Sequence, residues 1–101
     1  MPQEAFPHIE LGKLWLKLNQ FETAEKNFKA GRAVYEKISP TGQVRRKAVV
    51  DDYLGRTYMK QKRHLDALAA FEASYEYFIT KDEKRAAAIH EKIETIKQQI
   101  R

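Results

Sequence analysis

The segment LGKLWLKLNQFETAEKNF, residues 11–28, is repeated in outline by LGRTYMKQKRHLDALAAF, residues 54–71. An offset of 43 positions places Leu11-Gly12 on Leu54-Gly55. The same offset aligns further residues of similar character, namely Trp15 with Tyr58, Lys17 with Lys60, Ala24 with Ala67, Phe28 with Phe71, Ala30 with Ala73 and Tyr35 with Phe78. A period of roughly 20–50 residues indicates stacked supersecondary units. The repeat therefore predicts two related structural units in one chain.

The composition favours helices. The 101 residues include only four Gly and three Pro, whereas Ala, Leu, Glu, Lys and Gln, which form helices readily, are plentiful. This length suits one domain with a single core, so we expect one domain over residues 1–101. The chain has no cysteine, which excludes disulfides and thiolate metal sites. It shows neither a secretory signal nor a long apolar run, so we expect a soluble, cytoplasmic protein without membrane contact.

Five helices are predicted, over residues 7–19, 22–38, 43–61, 65–79 and 82–101. The clearest break is Ser39-Pro40-Thr41-Gly42, and Asp82 is expected to be the N-cap of the last helix. Short connections make consecutive helices antiparallel, so we predict a hairpin over 7–40, a second over 43–80, and a final helix.

Apolar spacing predicts which side chains face the core. In the first helix, Leu11, Leu14, Trp15 and Leu18 follow the i, i+3, i+4, i+7 pattern of one buried stripe. The inward-facing residues predicted for the other four helices are Ala24, Phe28, Val34, Tyr35, Ile38, Val50, Tyr53, Leu54, Tyr58, Leu68, Phe71, Tyr75, Phe78, Ala86, Ile89, Ile93, Ile96 and Ile100.

The order Leu-Gly, aromatic, Ala, Phe in both segments resembles the tetratricopeptide repeat. In that family the Gly and Ala let the two helices of a hairpin approach closely. The resemblance implies an all-α, right-handed solenoid of two antiparallel hairpins with a capping helix. The family period is 34 residues, so the 43-residue period is more similar to the longer repeats of kinesin light chain. Asn19 and Lys62 stand where the family often has a turn glycine.

The last helix departs from the repeat. If Ile89 and Ile93 are aligned with Leu54 and Tyr58, His90 falls where the close-packing glycine would be. We therefore predict a solvating cap with a polar outer face, as repeat arrays require at their ends. The sequence leaves open that the chain belongs to a longer array.

The resemblance also implies a function, because the first helix of each hairpin in this family lines a concave, peptide-binding surface. The matching positions are Ile9, Lys13, Leu16 and Lys17 in the first helix and Val49, Asp52, Arg56, Met59 and Lys60 in the third; Phe6, Lys84, Glu91 and Glu94 extend the set. The two main helices would present four cations and one acid. We expect a protein-interaction scaffold for an acidic or amphipathic peptide, although the cations could simply keep an exposed face soluble.

Two other modes of interaction remain open. Phe6, Leu14 and Trp15, near the N-terminal end, could mediate assembly into a homo-oligomer or a larger complex. The formal charge of +5, with the clusters Arg45-Arg46-Lys47 and Lys60-Lys62-Arg63, makes a basic nucleic-acid-binding module the alternative function. Acidic residues are interspersed among the basic ones, and the basic clusters lack the interleaved exposed aromatics of a single-strand-binding surface. Nucleic acid is therefore the less favoured partner.

The sequence predicts no catalytic activity, metal site or cofactor. None of the nucleophile, zinc-protease or phosphate-loop motifs occurs. His8, His64 and His90 lack the spacing of zinc ligands. Asp51 and Asp52 are adjacent, so a helix directs them to different sides and they cannot act as a facing pair.

Overall fold

The computed structural model describes residues 5–100, except for the side chain of Phe6. These residues form five α-helices: α1 (Ala5–Lys17), α2 (Phe21–Ile38), α3 (Val44–Lys60), α4 (His64–Phe78) and α5 (Glu83–Gln99). No strand occurs in this part of the chain. The prediction of an all-helical protein with five helices is confirmed, and the helix bounds differ from the predicted ones by only a few residues. The predicted role of Phe6 lies outside the described residues.

The α1–α2 and α3–α4 turns share one geometry. Asn19 and Lys62 both adopt the left-handed conformation, with φ of 61° and 59°. Their backbone amides donate to the carbonyls of Leu16 and Met59, each at 3.0 Å. A left-handed residue directly after a helix is a common helix-ending device, usually supplied by glycine. The turn is thus built at both positions without glycine.

Two glycines allow close contact between helices. A Cβ atom added to Gly12 would lie 2.7 Å from the ring of Phe28, and one added to Gly55 would lie 2.7 Å from the ring of Phe71. Both phenylalanines are fully buried. The repeated Gly and Phe therefore mark the points where α1 meets α2 and where α3 meets α4.

One continuous core joins the helices. Helix α1 packs on α2, α3 packs on both α2 and α4, and α4 packs on α5. The buried apolar side chains are Ala5, Ile9, Ala24, Phe28, Tyr35, Ala48, Val50, Leu54, Tyr58, Ala67, Phe71, Phe78, Ala86, Ile89, Ile93 and Ile96. The Cα radius of gyration of 13.1 Å is that of a compact body of this chain length.

Polar contacts fix the junction between α2 and α3. The Nε and Nη2 atoms of Arg32 donate to the two carboxylate oxygens of Asp51 at 2.7 and 3.1 Å. The buried ammonium of Lys47 donates to the carbonyls of Ser39 and Pro40 at 3.0 and 2.9 Å. These bonds join the two hairpins at the Ser-Pro break.

The predicted buried stripe of the first helix is wrong for its three leucines, whereas its fourth member, Trp15, is partly buried against the core. Leu11, Leu14 and Leu18 are 44%, 49% and 55% exposed. The face of α1 that packs inward is instead formed by Ala5, Ile9 and Gly12, with partly buried Leu16. Helix α1 therefore has two apolar faces on opposite sides, and the periodicity alone does not tell which one is covered.

Helix α5 follows the prediction closely. Ala86, Ile89, Ile93 and Ile96 are buried as predicted. Asp82 is the N-cap, with its carboxylate accepting from the backbone amide of Arg85 at 3.1 Å. Two other inward assignments are wrong.

Ile38, the last residue of α2, is 42% exposed, and Ile100, the C-cap of α5, is 43% exposed. Among the described helices, none combines the length and apolar content needed to cross a bilayer.

Candidate functional site

A groove of about 860 Å³, here called the basic groove, lies between α1, α3 and α5. It is lined by Glu10, Lys13, Leu14, Leu16, Lys17, Tyr53, Arg56, Met59, Lys60 and Lys92. Six of the residues assigned to a groove from the sequence are brought together here: Lys13, Leu16, Lys17, Arg56, Met59 and Lys60.

The basic groove combines one sign of charge with an apolar surface. Its lining contains five cations, and Glu10 is the acid among the described lining residues. Leu14, Leu16 and Met59 supply apolar contacts beside these charges. A concave surface of one charge concentrates the field and attracts ligands of the opposite sign. The groove is therefore suited to a ligand that carries both negative charge and apolar side chains.

Tyr53 organises the centre of the groove. Its ring stacks on the buried ring of Phe28, with centroids 5.4 Å apart and an interplanar angle of 13°. The Lys13 Nζ and Arg56 Cζ atoms lie 5.5 and 4.9 Å from the centroid of the same tyrosine ring. Cations within about 6 Å of an aromatic centroid are attracted by its quadrupole. The tyrosine thus holds one cation from α1 and one from α3 near each other.

Lys13 also interacts with its own helix. Its ammonium donates to a Glu10 carboxylate oxygen at 3.0 Å. This hydrogen bond, with a smaller contribution from Tyr53, raises the pKa of Lys13 above its ordinary value. The side chain therefore stays cationic throughout the neutral range.

Asp52 does not line the groove, although the sequence placed it there. Its side chain is 1% exposed and lies behind Arg56, whose Nη2 and Nε atoms donate to it at 3.0 and 3.2 Å. Arg85 of α5 donates to it from Nη2 and Nε at 3.1 and 3.3 Å. The buried carboxylate therefore orients Arg56 and connects α3 to α5. It cannot repel an acidic ligand directly, because the guanidinium groups cover it.

The remaining predicted residues are placed elsewhere. Ile9 is 8% exposed and fills the space left by Gly31, where an added Cβ would lie 2.5 Å from its Cδ1 atom. Ile9 and Val49 border a separate groove of about 520 Å³.

The three residues assigned from α5 do not meet in one site. Glu94 lines a third groove of about 500 Å³, together with Glu72 and Glu76. Lys84 and Glu91 are exposed on α5.

Four residues of the basic groove were missed from the sequence: Glu10, Leu14, Tyr53 and Lys92. Leu14 and Tyr53 have helical apolar spacing, which assigned them to the core. Glu10 could have been assigned to the groove from the sequence, because it lies three residues before Lys13 and therefore on the same helix face. Lys92 depends on the rotation of α5, and the repeat does not extend far enough to define that rotation.

The two basic clusters are largely occupied by internal contacts. Lys47 is 7% exposed, and its ammonium also pairs with Glu36 at 3.1 Å. Arg63 pairs with Glu25 at 2.7 Å and with Asp66 at 3.0 Å. These cations are held by acids and carbonyls of the same chain, which leaves fewer of them for phosphate groups.

No group of three or more His, Cys, Asp or Glu within the described part of the chain is arranged to hold a metal ion. No family model matches the chain, and a search of curated proteins found no significant match. The basic groove is therefore the feature of the molecule that points to a function.

Proposed function

We propose that the chain is a tetratricopeptide-like protein-interaction module that binds an acidic or amphipathic peptide segment in the basic groove. The repeated contacts of Gly12 with Phe28 and of Gly55 with Phe71 support the family assignment, because they give both hairpins the same close approach. Under this proposal α5 is the capping helix, and the module has no catalytic role.

One observation carries the proposal: five cations from three helices surround an apolar strip in a single concave surface. Lys13 and Lys17 come from α1, Arg56 and Lys60 from α3, and Lys92 from α5. A peptide lying across them would place carboxylates near the ammonium groups and apolar side chains on Leu16 and Met59. Binding of this kind combines buried apolar anchors with charge complementarity.

The internal pairing of Lys47 and Arg63 favours a peptide over nucleic acid. Phosphate-backbone binding needs several free cations along one path. In each basic cluster one cation, Lys47 or Arg63, is already paired with an acid of the chain. The groove cations without an ion pair among the described residues are Lys17, Lys60 and Lys92, and they share the groove with apolar side chains, which suits a peptide better than a phosphate backbone.

The experiment compares two charge-reversed variants. Lys60→Glu with Lys92→Glu removes two groove cations that make no ion pair within the described residues. Lys26→Glu with Lys37→Glu makes the same change in net charge on α2, away from the groove. Arg56 is unsuitable for charge reversal because its loss would leave Asp52 with a single partner.

The probe is a fluorescein-labelled synthetic peptide rich in glutamate with two leucines, and the readout is fluorescence anisotropy at fixed salt. We expect the groove variant to bind at least about tenfold more weakly than the parent protein, a loss of roughly 1.4 kcal/mol. The α2 variant should bind as the parent does. Equal losses in both variants would show only a net-charge effect. Tighter binding of a labelled single-stranded oligonucleotide than of the peptide would favour the nucleic-acid alternative.

A further inference from the structure

The outer face of α1 is unlike the outer face of α5. Three leucines, Leu11, Leu14 and Leu18, lie 44–55% exposed at i, i+3 and i+7. On α5 the exposed positions are mainly charged or polar, among them Glu91 and Gln98. Helix α5 thus covers its end of the core with a polar surface, whereas α1 leaves a row of leucines uncovered at the other end.

We propose that this row, here called the leucine stripe, is the interface of a symmetric dimer in which two copies of α1 pack antiparallel. The leucines have the spacing of the apolar seam of a two-helix coiled coil. Antiparallel packing about a two-fold axis near Leu14 places Leu14 against its own copy. It also places Leu11 of each chain near Leu18 of the partner chain.

The charges beside the leucine stripe select a second copy and its direction. Glu10 lies about one helical turn before Leu14 and Lys17 about one turn after it, both on the same side of the stripe. In an antiparallel pair, Glu10 of one copy therefore meets Lys17 of the other, twice across the axis. A parallel pair would instead place Glu10 of each copy beside Trp15 of the other, so neither Glu10 nor Lys17 would find an opposite charge across the seam.

Head-to-tail packing fits the surfaces less well. In such an arrangement the leucine stripe would meet the outer face of α5, whose exposed residues include Glu83, Glu91 and Glu94. An apolar stripe against charged side chains would leave those charges without water or partners, which is costly. A self-complementary contact through a two-fold axis avoids this cost and also closes the assembly.

The first test is the mass in solution over a range of protein concentrations, measured by light scattering and sedimentation. The contact is small, so we expect a weak dimer that dissociates on dilution. Leu11→Gln with Leu18→Gln should weaken the dimer at least about tenfold, a loss of roughly 1.4 kcal/mol. Neither residue lines the basic groove, so the substitutions leave the side chains of the groove itself in place. Leu65→Gln with Ile79→Gln is the matched control, because it removes two exposed apolar side chains elsewhere.

The second test is a charge swap. Glu10→Lys alone and Lys17→Glu alone should each weaken the dimer, since each puts like charges across the axis. Both changes together should restore it, because the pairing is regenerated in reverse. The opposite order, with single variants dimerising better than the double variant, would contradict the antiparallel arrangement.

The third test uses disulfide formation. The chain has no cysteine of its own, so an introduced cysteine can form a disulfide only with its copy in another chain. Leu14→Cys should form a covalent dimer on mild oxidation, whereas Leu11→Cys should not, because its expected neighbour is Leu18. The proposal is overturned if the parent chain stays monomeric at high concentration. It is also overturned if the Leu11 variant cross-links as fast as the Leu14 variant. Circular dichroism of every variant checks that the fold is unchanged.

Discussion

At the scale of single residues, three residues other than glycine adopt the left-handed conformation, which lowers the free energy of unfolding. Asn19, Gln43 and Lys62 have φ between 55° and 61° without being glycine. The left-handed region is disfavoured for residues with a Cβ atom, while asparagine is more tolerant of it. Lys62 is therefore less well suited to its position than Asn19.

We predict that Lys62→Gly raises the free energy of unfolding by about 1 kcal/mol. The side chain of Lys62 is exposed, so little packing is lost when it is removed. Asn19→Gly, the matched change in the equivalent turn, should give a smaller gain. Urea titration followed by circular dichroism measures both, and a decrease for Lys62→Gly would show that its side chain contributes a contact of its own.

The glycine contacts also act at this scale. In an ordinary helix interior, Gly→Ala stabilises by up to about 1 kcal/mol. At Gly55 the added methyl group would lie 2.7 Å from the ring of fully buried Phe71, so the ring or the helix would have to shift within the core. We therefore predict that Gly55→Ala destabilises the protein by about 1–3 kcal/mol. Thermal melting measures the effect, and Gly12→Ala should lower the Tm as well. A raised Tm for either variant would indicate that the phenylalanine rings repack freely.

At the scale of helices, Glu25 connects α2 to the end of α3. Its carboxylate accepts from Arg63 at 2.7 Å and from Tyr58 at 3.3 Å, and pairs with Lys29 at 2.8 Å. Burial raises the pKa of Glu25, but its bonds with Lys29 and Arg63 outweigh burial, so the pKa lies below the ordinary value of 4.5. A group with a lowered pKa stabilises the fold when ionised and loses this contribution as the pH falls through its folded pKa.

We predict that Glu25→Gln lowers the free energy of unfolding at neutral pH by roughly 1 kcal/mol. The difference from the parent protein should shrink as the pH falls below 4.5, because the parent carboxylate then becomes protonated as well. Unfolding curves at a series of pH values provide the measurement. Glu22→Gln, which removes an exposed carboxylate from the same helix, is the control. A difference that grows towards acid pH would have the wrong sign.

The helices also show what the sequence can and cannot predict. Five helices follow from apolar spacing and breaks, and Asp82 follows from N-cap preference, because these are local effects. Whether Leu11 is buried or exposed cannot be predicted from local sequence. Helix α1 has two apolar faces, and only the neighbouring helices determine which of them is covered. Asp52 was misplaced for the same reason, because its role depends on Arg85, which is distant in the chain. Tyr53 packs against the core as predicted, but its place in the basic groove depends on contacts with α1 that the sequence does not give.

At the scale of the whole molecule, α5 completes both the core and the basic groove. It covers fully buried Phe78 and supplies Arg85 to the buried carboxylate of Asp52. It also contributes Lys92 to the groove. Its removal would expose an apolar surface and leave Asp52 with fewer donors.

We predict that a chain ending at residue 80 loses cooperative unfolding, because removal of α5 exposes the apolar surface that α5 covers on α4. Urea titration with far-ultraviolet circular dichroism should show a broad, weak transition in place of a single sharp one. Retention of the parent midpoint by the shortened chain would mean that the two hairpins are stable without α5.

The hydrogen bonds between Arg56 and Asp52 have a consequence for the thermodynamics of the proposed peptide binding. Because Asp52 already holds this guanidinium at two atoms, and Tyr53 lies beneath it, the side chain has little rotational freedom left to lose. Ordering a long, free side chain on association costs roughly 0.5–1.5 kcal/mol. That entropic penalty has been met during folding, so the conformational freedom still to be lost belongs mainly to the ligand. A cyclised or helix-stapled ligand should therefore gain more affinity here than any further stiffening of the protein would provide.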